Sequence, residues 1–126
     1  MLFRSDNGRI NGLCFDANGA LYACQSSARR IVRIEKDRTL TPLPHLLDGK
    51  KHNNPNDLVV DRQGRIWFSD PWTENFYGGL ASGDLDHQSI LQLTPKGGDR
   101  WELRRATFDT ARPNGILVSE IGRAHV

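Results

Sequence analysis

Three asparagines stand at the heads of three apolar runs: Asn11 before Gly12-Leu13-Cys14-Phe15, Asn56 before Asp57-Leu58-Val59-Val60, and Asn114 before Gly115-Ile116-Leu117-Val118. Strand propensity disfavours both asparagine and aspartate, so their presence there needs a reason. Amide carbonyl oxygens are hard donors, and several aimed at a common centre would suit Ca2+, Mg2+ or Mn2+. The competing account is a turn role, in which asparagine tolerates left-handed backbone and bonds its own main chain. For one asparagine the turn role is sufficient. For three in register, two of them after Pro55 and Pro113, which stiffen the approach, the spacing leaves both accounts open.

Other reactive residue types form no such pattern. His45, His52 and His87 lack the spaced partners of a zinc site. Ser26 and Ser27 lack the glycines of a nucleophile elbow, which argues against a serine hydrolase. Phe15, Trp67, Trp101 and Phe108 are expected in the core rather than against a cofactor.

The elements that position the asparagines come from an internal repeat. NGLCFDANGALYACQ, Asn11 to Gln25, lies over NDLVVDRQGRIWFSD, Asn56 to Asp70, without a gap at an offset of 45 residues. Asparagine, leucine, aspartate and glycine coincide at 11 and 56, 13 and 58, 16 and 61, and 19 and 64. Apolar residues face apolar residues between them. Asp16-Ala17-Asn18-Gly19 and Asp61-Arg62-Gln63-Gly64 carry the Asp-first, Gly-last chemistry of a type I turn, so each repeat opens with a hairpin. Third strands are expected at residues 30–34 and 89–93, and fourth strands at 39–43 and 101–108. A third unit starts at Asn114, 58 residues beyond Asn56, the extra length being an insertion over 71–87. Met1-Leu2-Phe3 reads as the last strand of a preceding unit.

Four-stranded units repeating every ~40 to 50 residues are what β-propeller blades require. Period-2 patterning excludes a helical solenoid, and an immunoglobulin-like sandwich gives no reason for the repeat. The expected fold class is all-β: a fragment of a β-propeller with about two full four-stranded blades plus partial flanking ones, over residues 1–119. That is too few blades to close a ring, and the unpaired edges should make the isolated piece self-associate and leave it inactive. Residues 120–126, EIGRAHV, break the pattern in mid-hairpin, and one coding sequence for them matches a widely used sequencing adapter. They are expected to be an assembly artefact.

Bulk properties are those of an ordinary globular chain: 126 residues, 37% apolar, 25% charged, net charge +2. The charges are interspersed, and no run is longer than Ala28-Arg29-Arg30 or Gly49-Lys50-Lys51, which argues against nucleic acid or an anionic membrane as partner. No window approaches the ~18 apolar residues of a membrane span. The N-terminus carries no secretory address, and with the true start expected upstream, cytoplasm and periplasm both stay open. If the first turn sets Phe15 opposite Ala20, Cys14 and Cys24 lie on opposite faces of the sheet and are free thiols.

In a propeller the first strand of each blade runs nearest the axis, so Asn11, Asn56 and Asn114 would converge on the mouth of the central channel. The segments INGLCFDANGALYACQSSARRIVRI, DGKKHNNPNDLVVDRQGRIWFSDPW and FDTARPNGILVS resemble the senescence-marker-protein/gluconolactonase/luciferin-regenerating-enzyme family of six-bladed propellers, and PNDLVVDRQGRIWFSDP with RPNG is similar to its gluconolactonase-like branch. The resemblance implies one divalent cation on the axis, Ca2+ first with Zn2+, Mn2+ or Mg2+ as alternatives, held by a Glu, two Asn and an Asp. It implies a small-molecule sugar lactone as substrate, hydrolysed at the open coordination face.

Carried over by position, the resemblance makes Asn56 and Asn114 the metal-binding asparagines and Asn11 a substrate contact. The Glu and the Asp match no position of this chain, and the Asp is the family's proposed base, so no catalytic base is assigned. Asp57 is adjacent to a ligand but points to the other face, which suits a supporting bond or a loop lock. In the insertion, either Trp72 and Tyr77 floor the sugar-lactone pocket, with Gly78-Gly79 allowing movement, or Trp72 only anchors a surface loop; the sequence leaves both readings open. The rival reading is a non-catalytic propeller that binds a ligand or protein, its asparagines only making turns.

Overall fold

The computed structural model describes residues 10–72, 84–108, 113, 115–118 and 124–125. Among them every paired strand is antiparallel to its neighbour and no helix occurs. The first blade is β1 (Ile10–Phe15), β2 (Leu21–Gln25), β3 (Arg30–Ile34) and β4 (Leu40–Pro42), paired in chain order. A two-stranded hairpin follows, β5 (Leu46–Leu47) with β6 (Lys50–Lys51). The second blade is β7 (Leu58–Val60), β8 (Ile66–Asp70), β9 (Ser89–Pro95) and β10 (Trp101–Arg105), again in chain order. Last come β11 (Leu117–Val118) and β12 (Ala124–His125), which pair with each other. The fold is thus all-β and built of successive four-stranded propeller blades, as the repeat requires. The β11–β12 pairing gives the tail a partner strand and says nothing of its origin.

The repeat's aspartates explain why both hairpins form. Asp16 Oδ1 accepts the main-chain N–H groups of Asn18 and Ala20, both at 2.9 Å, and Asp61 Oδ1 accepts those of Gln63 and Arg65, also at 2.9 Å. Gly19 and Gly64 close the turns at φ +87° and +80°, a region that strains any side chain. Asp61 is the stronger clamp: its Oδ2 also accepts from Arg65 Nε at 2.6 Å and from Trp67 Nε1 at 2.9 Å. Burial raises its pKa, but these bonds and the Arg65 charge outweigh burial and hold the carboxyl below its usual value.

The turn glycine also corrects the expected register. Asp16 N donates to Ala20 O, so the glycine is a bulge residue, and Phe15 faces Leu21 while Cys14 faces Tyr22. The one-residue shift puts Cys14 and Cys24 on the same face, against the expectation of opposite faces. Both are free thiols.

That shared face packs against the second blade. Tyr22, Cys24 and Ile31 meet Leu58, Ile66, Phe68, Leu91 and Leu93, with Leu43 and Leu47 closing the outer end. Tyr22 sets its ring edge-on to Trp101 with centroids 6.0 Å apart. Each fully buried side chain of this size contributes about 1.5–3 kcal/mol, so the layer between blades dominates the fold. On the far side of blade one, Ala23, Val32 and Ile34 form a smaller cluster. Two expected core aromatics are not core: Phe15 is 64% exposed on that far side, and Phe108 is 75% exposed beyond β10, with Arg105 stacked on its ring at 4.4 Å. Each lies at the edge of the two-blade layer, where no second described sheet covers it.

Candidate functional site

The innermost strands of the blades lie side by side, with β7 next to both β1 and β11. Gly12 makes the approach possible. A Cβ there would stand 3.0 Å from Asn56 O and 3.1 Å from both Asp57 Cα and Asp57 Oδ1, so glycine gives β1 the room to close on the start of β7, where any side chain would need its neighbours to yield by a few tenths of an ångström. Asn11 and Asn56 meet across this contact, Asn11 Nδ2 donating to Asn56 Oδ1. Asn11 is exposed and Asn56 half-buried, so the amide pair faces outward from a fixed base.

Asp57 turns its carboxylate to its own backbone, Oδ1 accepting from Leu58 N at 3.0 Å, while its main-chain N donates to Ser69 Oγ at 3.2 Å. Trp72 donates its main-chain N–H to Gln88 Oε1 at 2.8 Å, and the Arg29 guanidinium lies 5.2 Å from its ring centroid. Of the remaining site expectations, Asn114 and Tyr77 lie outside the described residues. A groove of ≈ 540 Å³ beside β10, lined in part by Leu47, Asp86, His87 and Arg105, shares no residue with the asparagine pair.

For a cation, the donor chemistry fits in kind. Asn56 Oδ1 is a hard, neutral oxygen whose neighbour, Asn11, holds it by one hydrogen bond. Among the described residues no group of three or more His, Cys, Asp or Glu is placed to hold a metal ion. Cys24 offers no nucleophile beneath the pair: burial first, then the nearby carboxylates of Asp57 and Asp70, push its thiol well above its usual pKa.

The sequence reading missed the buried polar groups of the loop that delivers Asn56. His52, Asn53 and Asn54 are buried there, together with Asp70 at the end of β8 and Arg29 at the β2–β3 turn. Arg29 Nε donates to His52 O at 3.0 Å and its Nη2 to Lys51 O at 3.3 Å. A signal existed for the loop, since His52-Asn53-Asn54-Pro55-Asn56 is a strand-free polar run leading into an apolar strand. None existed for Arg29, whose φ of 58° follows from the turn.

Known proteins resemble this chain in sequence and fold. Residues 36–124, more than half of the chain, match the family model described as SMP-30/Gluconolactonase/LRE-like region. A gluconolactonase of Zymomonas mobilis is 29% identical over 115 residues, which cover 86% of this chain and 30% of that protein. The solved structure of a gluconolactonase from Xanthomonas campestris superposes with TM-score 0.74 at 36% identity, over 87% of this chain and 36% of that one. A solved putative gluconolactonase gives TM-score 0.83 at 28% identity, over 96% and 42%. The chain therefore spans about a third of the length of these relatives, and by the family match over blade two and its flanks it belongs to the SMP-30/gluconolactonase/LRE-like family.

Proposed function

We propose that these blades form part of a metal-dependent sugar-lactone hydrolase, in which Asn56 and Asn114 ligate one divalent cation, Ca2+ first, and Asn11 contacts the substrate. The observation that carries the reading is the meeting of Asn11 and Asn56, 45 residues apart, at the inner edge of adjacent blades. A turn role for each asparagine explains neither the pairing nor the glycine that permits it. Family membership and the gluconolactonase relatives supply the reaction class.

A cation bound there would polarise the lactone carbonyl and ease formation of hydroxide from a water at neutral pH. Asn56 presents Oδ1 from a loop bonded to β8, so the donor is held before substrate arrives. Asn11 reaches the same point from the neighbouring blade, and its Nδ2 is a hydrogen-bond donor available to a sugar hydroxyl when it releases Asn56. Trp72, held by its main-chain bond to Gln88, offers a ring against which a sugar face can pack.

The test is hydrolysis of D-glucono-δ-lactone by the full-length protein. Activity should vanish with a chelator and return with Ca2+, Mn2+ or Zn2+, and Asn56→Ala should lower it by about 10–100-fold. Activity that survives complete chelation would refute the metal reading, and absence of lactone hydrolysis with every added metal would refute the enzyme reading.

A further inference from the structure

The segment leading to Asn56 is tied down at nearly every residue. The His52 ring is fully buried with Nδ1 2.9 Å from Asp70 Oδ1, and Asn53 N donates to Asp70 Oδ2 at 2.7 Å. Asn53 Nδ2 donates to the carbonyls of Asp70 and His87, both at 3.0 Å. Asn54 N donates to Pro71 O at 3.0 Å and its Nδ2 to Ser26 O at 2.9 Å, while Ser26 Oγ donates to Pro55 O at 2.5 Å. Asn56 N then donates to Ser69 O, and Ser69 N to Asp57 O, each at 3.0 Å.

This buried set is not optimised for stability. Among the described residues His52 Nε2 and Asn53 Oδ1 are both buried without a hydrogen-bond partner, a cost that folded chains avoid unless the geometry is needed. Neither His52 nor Asn53 belongs to a strand ladder, so the sheet does not require them. What they determine is the path of the chain between Lys51 and Leu58, and Asn56 is the one half-buried amide on that path whose Oδ1 meets the neighbouring blade.

We infer that Asp70, with His52 and Asn53, is a positioning device for Asn56: a carboxylate at the end of β8 gathers the loop so that Asn56 Oδ1 is held at the cation site. The inference rests on the assignment of Asn56 as a ligand. Asp70 touches neither ion nor substrate in this scheme and acts only through the loop. Partners of this kind, one bond removed from a ligand, change metal affinity by about 10–100-fold when altered.

The experiment is a Mn2+ titration of the full-length protein followed by electron paramagnetic resonance, with lactone kinetics alongside. Asp70→Asn keeps the shape but replaces the carboxylate by an amide with a single acceptor oxygen, ending the charge-assisted bond to Asn53 N or the contact with the His52 ring; Mn2+ affinity should fall about 10–100-fold. The double variant Asp70→Asn/Asn56→Ala should bind no more weakly than Asn56→Ala alone, because the device has no route except Asn56. A second pair guards against a folding failure of Asp70→Asn. His52→Asn offers an amide N–H where Nδ1 stood and should retain affinity within about threefold, whereas His52→Leu should lose about tenfold. Unchanged Mn2+ affinity in Asp70→Asn and His52→Leu, with Asn56→Ala impaired, would overturn the positioning role alone. Unchanged affinity in Asn56→Ala would overturn the ligand assignment and the inference with it. Additive losses in the double variant would show a second route and also overturn it.

Discussion

Replacing Gly12 by alanine tests the approach of the two blades at its narrowest point. The added methyl would sit 3.0 Å from Asn56 O and 3.1 Å from Asp57 Cα and Oδ1, where ordinary contact begins at 3.4 Å, so something must yield by a few tenths of an ångström. Two of the three atoms are backbone, and that backbone is held by the bonds between Asn56, Asp57 and Ser69, each at 3.0 Å. The strain therefore falls on the blade contact. Overpacking of this kind costs about 1–3 kcal/mol. Alanine's smaller unfolded-state entropy returns about 0.4–1 kcal/mol. A net loss of about 1–2 kcal/mol should appear as a lower denaturant midpoint at unchanged slope in guanidinium unfolding of the full-length protein. Displacing Asn56 against Asn11 should also lower kcat/KM for the lactone several-fold, since misplacement by about 1 Å costs on the order of 100-fold. Gly98 provides the control: it has φ +58° and no atom within 4 Å of an added Cβ, so Gly98→Ala should cost stability and leave kcat/KM alone. If Gly12→Ala matches the parent in both midpoint and kinetics, the blades do not meet as described.

Loss of activity on chelation and its return with Ca2+ is the second expectation, measured as above. Third, Asp61→Ala should destabilise by about 2–3 kcal/mol, because the clamp's charged acceptor bonds go together. The folded pKa of Asp61 lies below its ordinary 3.8, so its contribution is present above that value and is lost as pH falls through the lower folded pKa. The gap between parent and variant in guanidinium unfolding should accordingly narrow from pH 7 towards pH 3, and a constant gap would contradict the clamp. Fourth, a maleimide should modify Cys14 in the native protein and Cys24 only on unfolding, since Cys24 is fully buried with a raised pKa and Cys14 is half-buried; prompt native labelling of both thiols would contradict the inter-blade core.

The repeat made the architecture legible because it samples one physical requirement twice. Asp16 and Asp61 must accept two amides each, Gly19 and Gly64 must take positive φ, and strands between them must alternate, so four coincident letters identify both hairpins. Register was not legible, because a turn of the same composition can close with or without a bulge residue, and one residue decides which face Cys14 occupies. The β5–β6 hairpin was legible and passed over: Asp48-Gly49 takes φ of 52° and 80°, the geometry its sequence advertises. Asn11 and Asn56 were identifiable from spacing, since adjacent inner strands place equal positions together. The network around Asp70 was not, because its partners are 17 and 18 residues away and obey no period.

Every hydrogen-bonded strand neighbour within a blade is also a neighbour along the chain, while the blades touch mainly through side chains. Among the described residues no strand ladder joins one blade to the other, so the ties between them are the shared core and a few side-chain bonds to main-chain carbonyls. Amide exchange should reveal that independence: strands of one blade should share a single opening free energy, different from that of the other blade, instead of the whole molecule exchanging at one rate. Such modularity lets duplication of a single segment lengthen the molecule without redesigning any existing pair of strands.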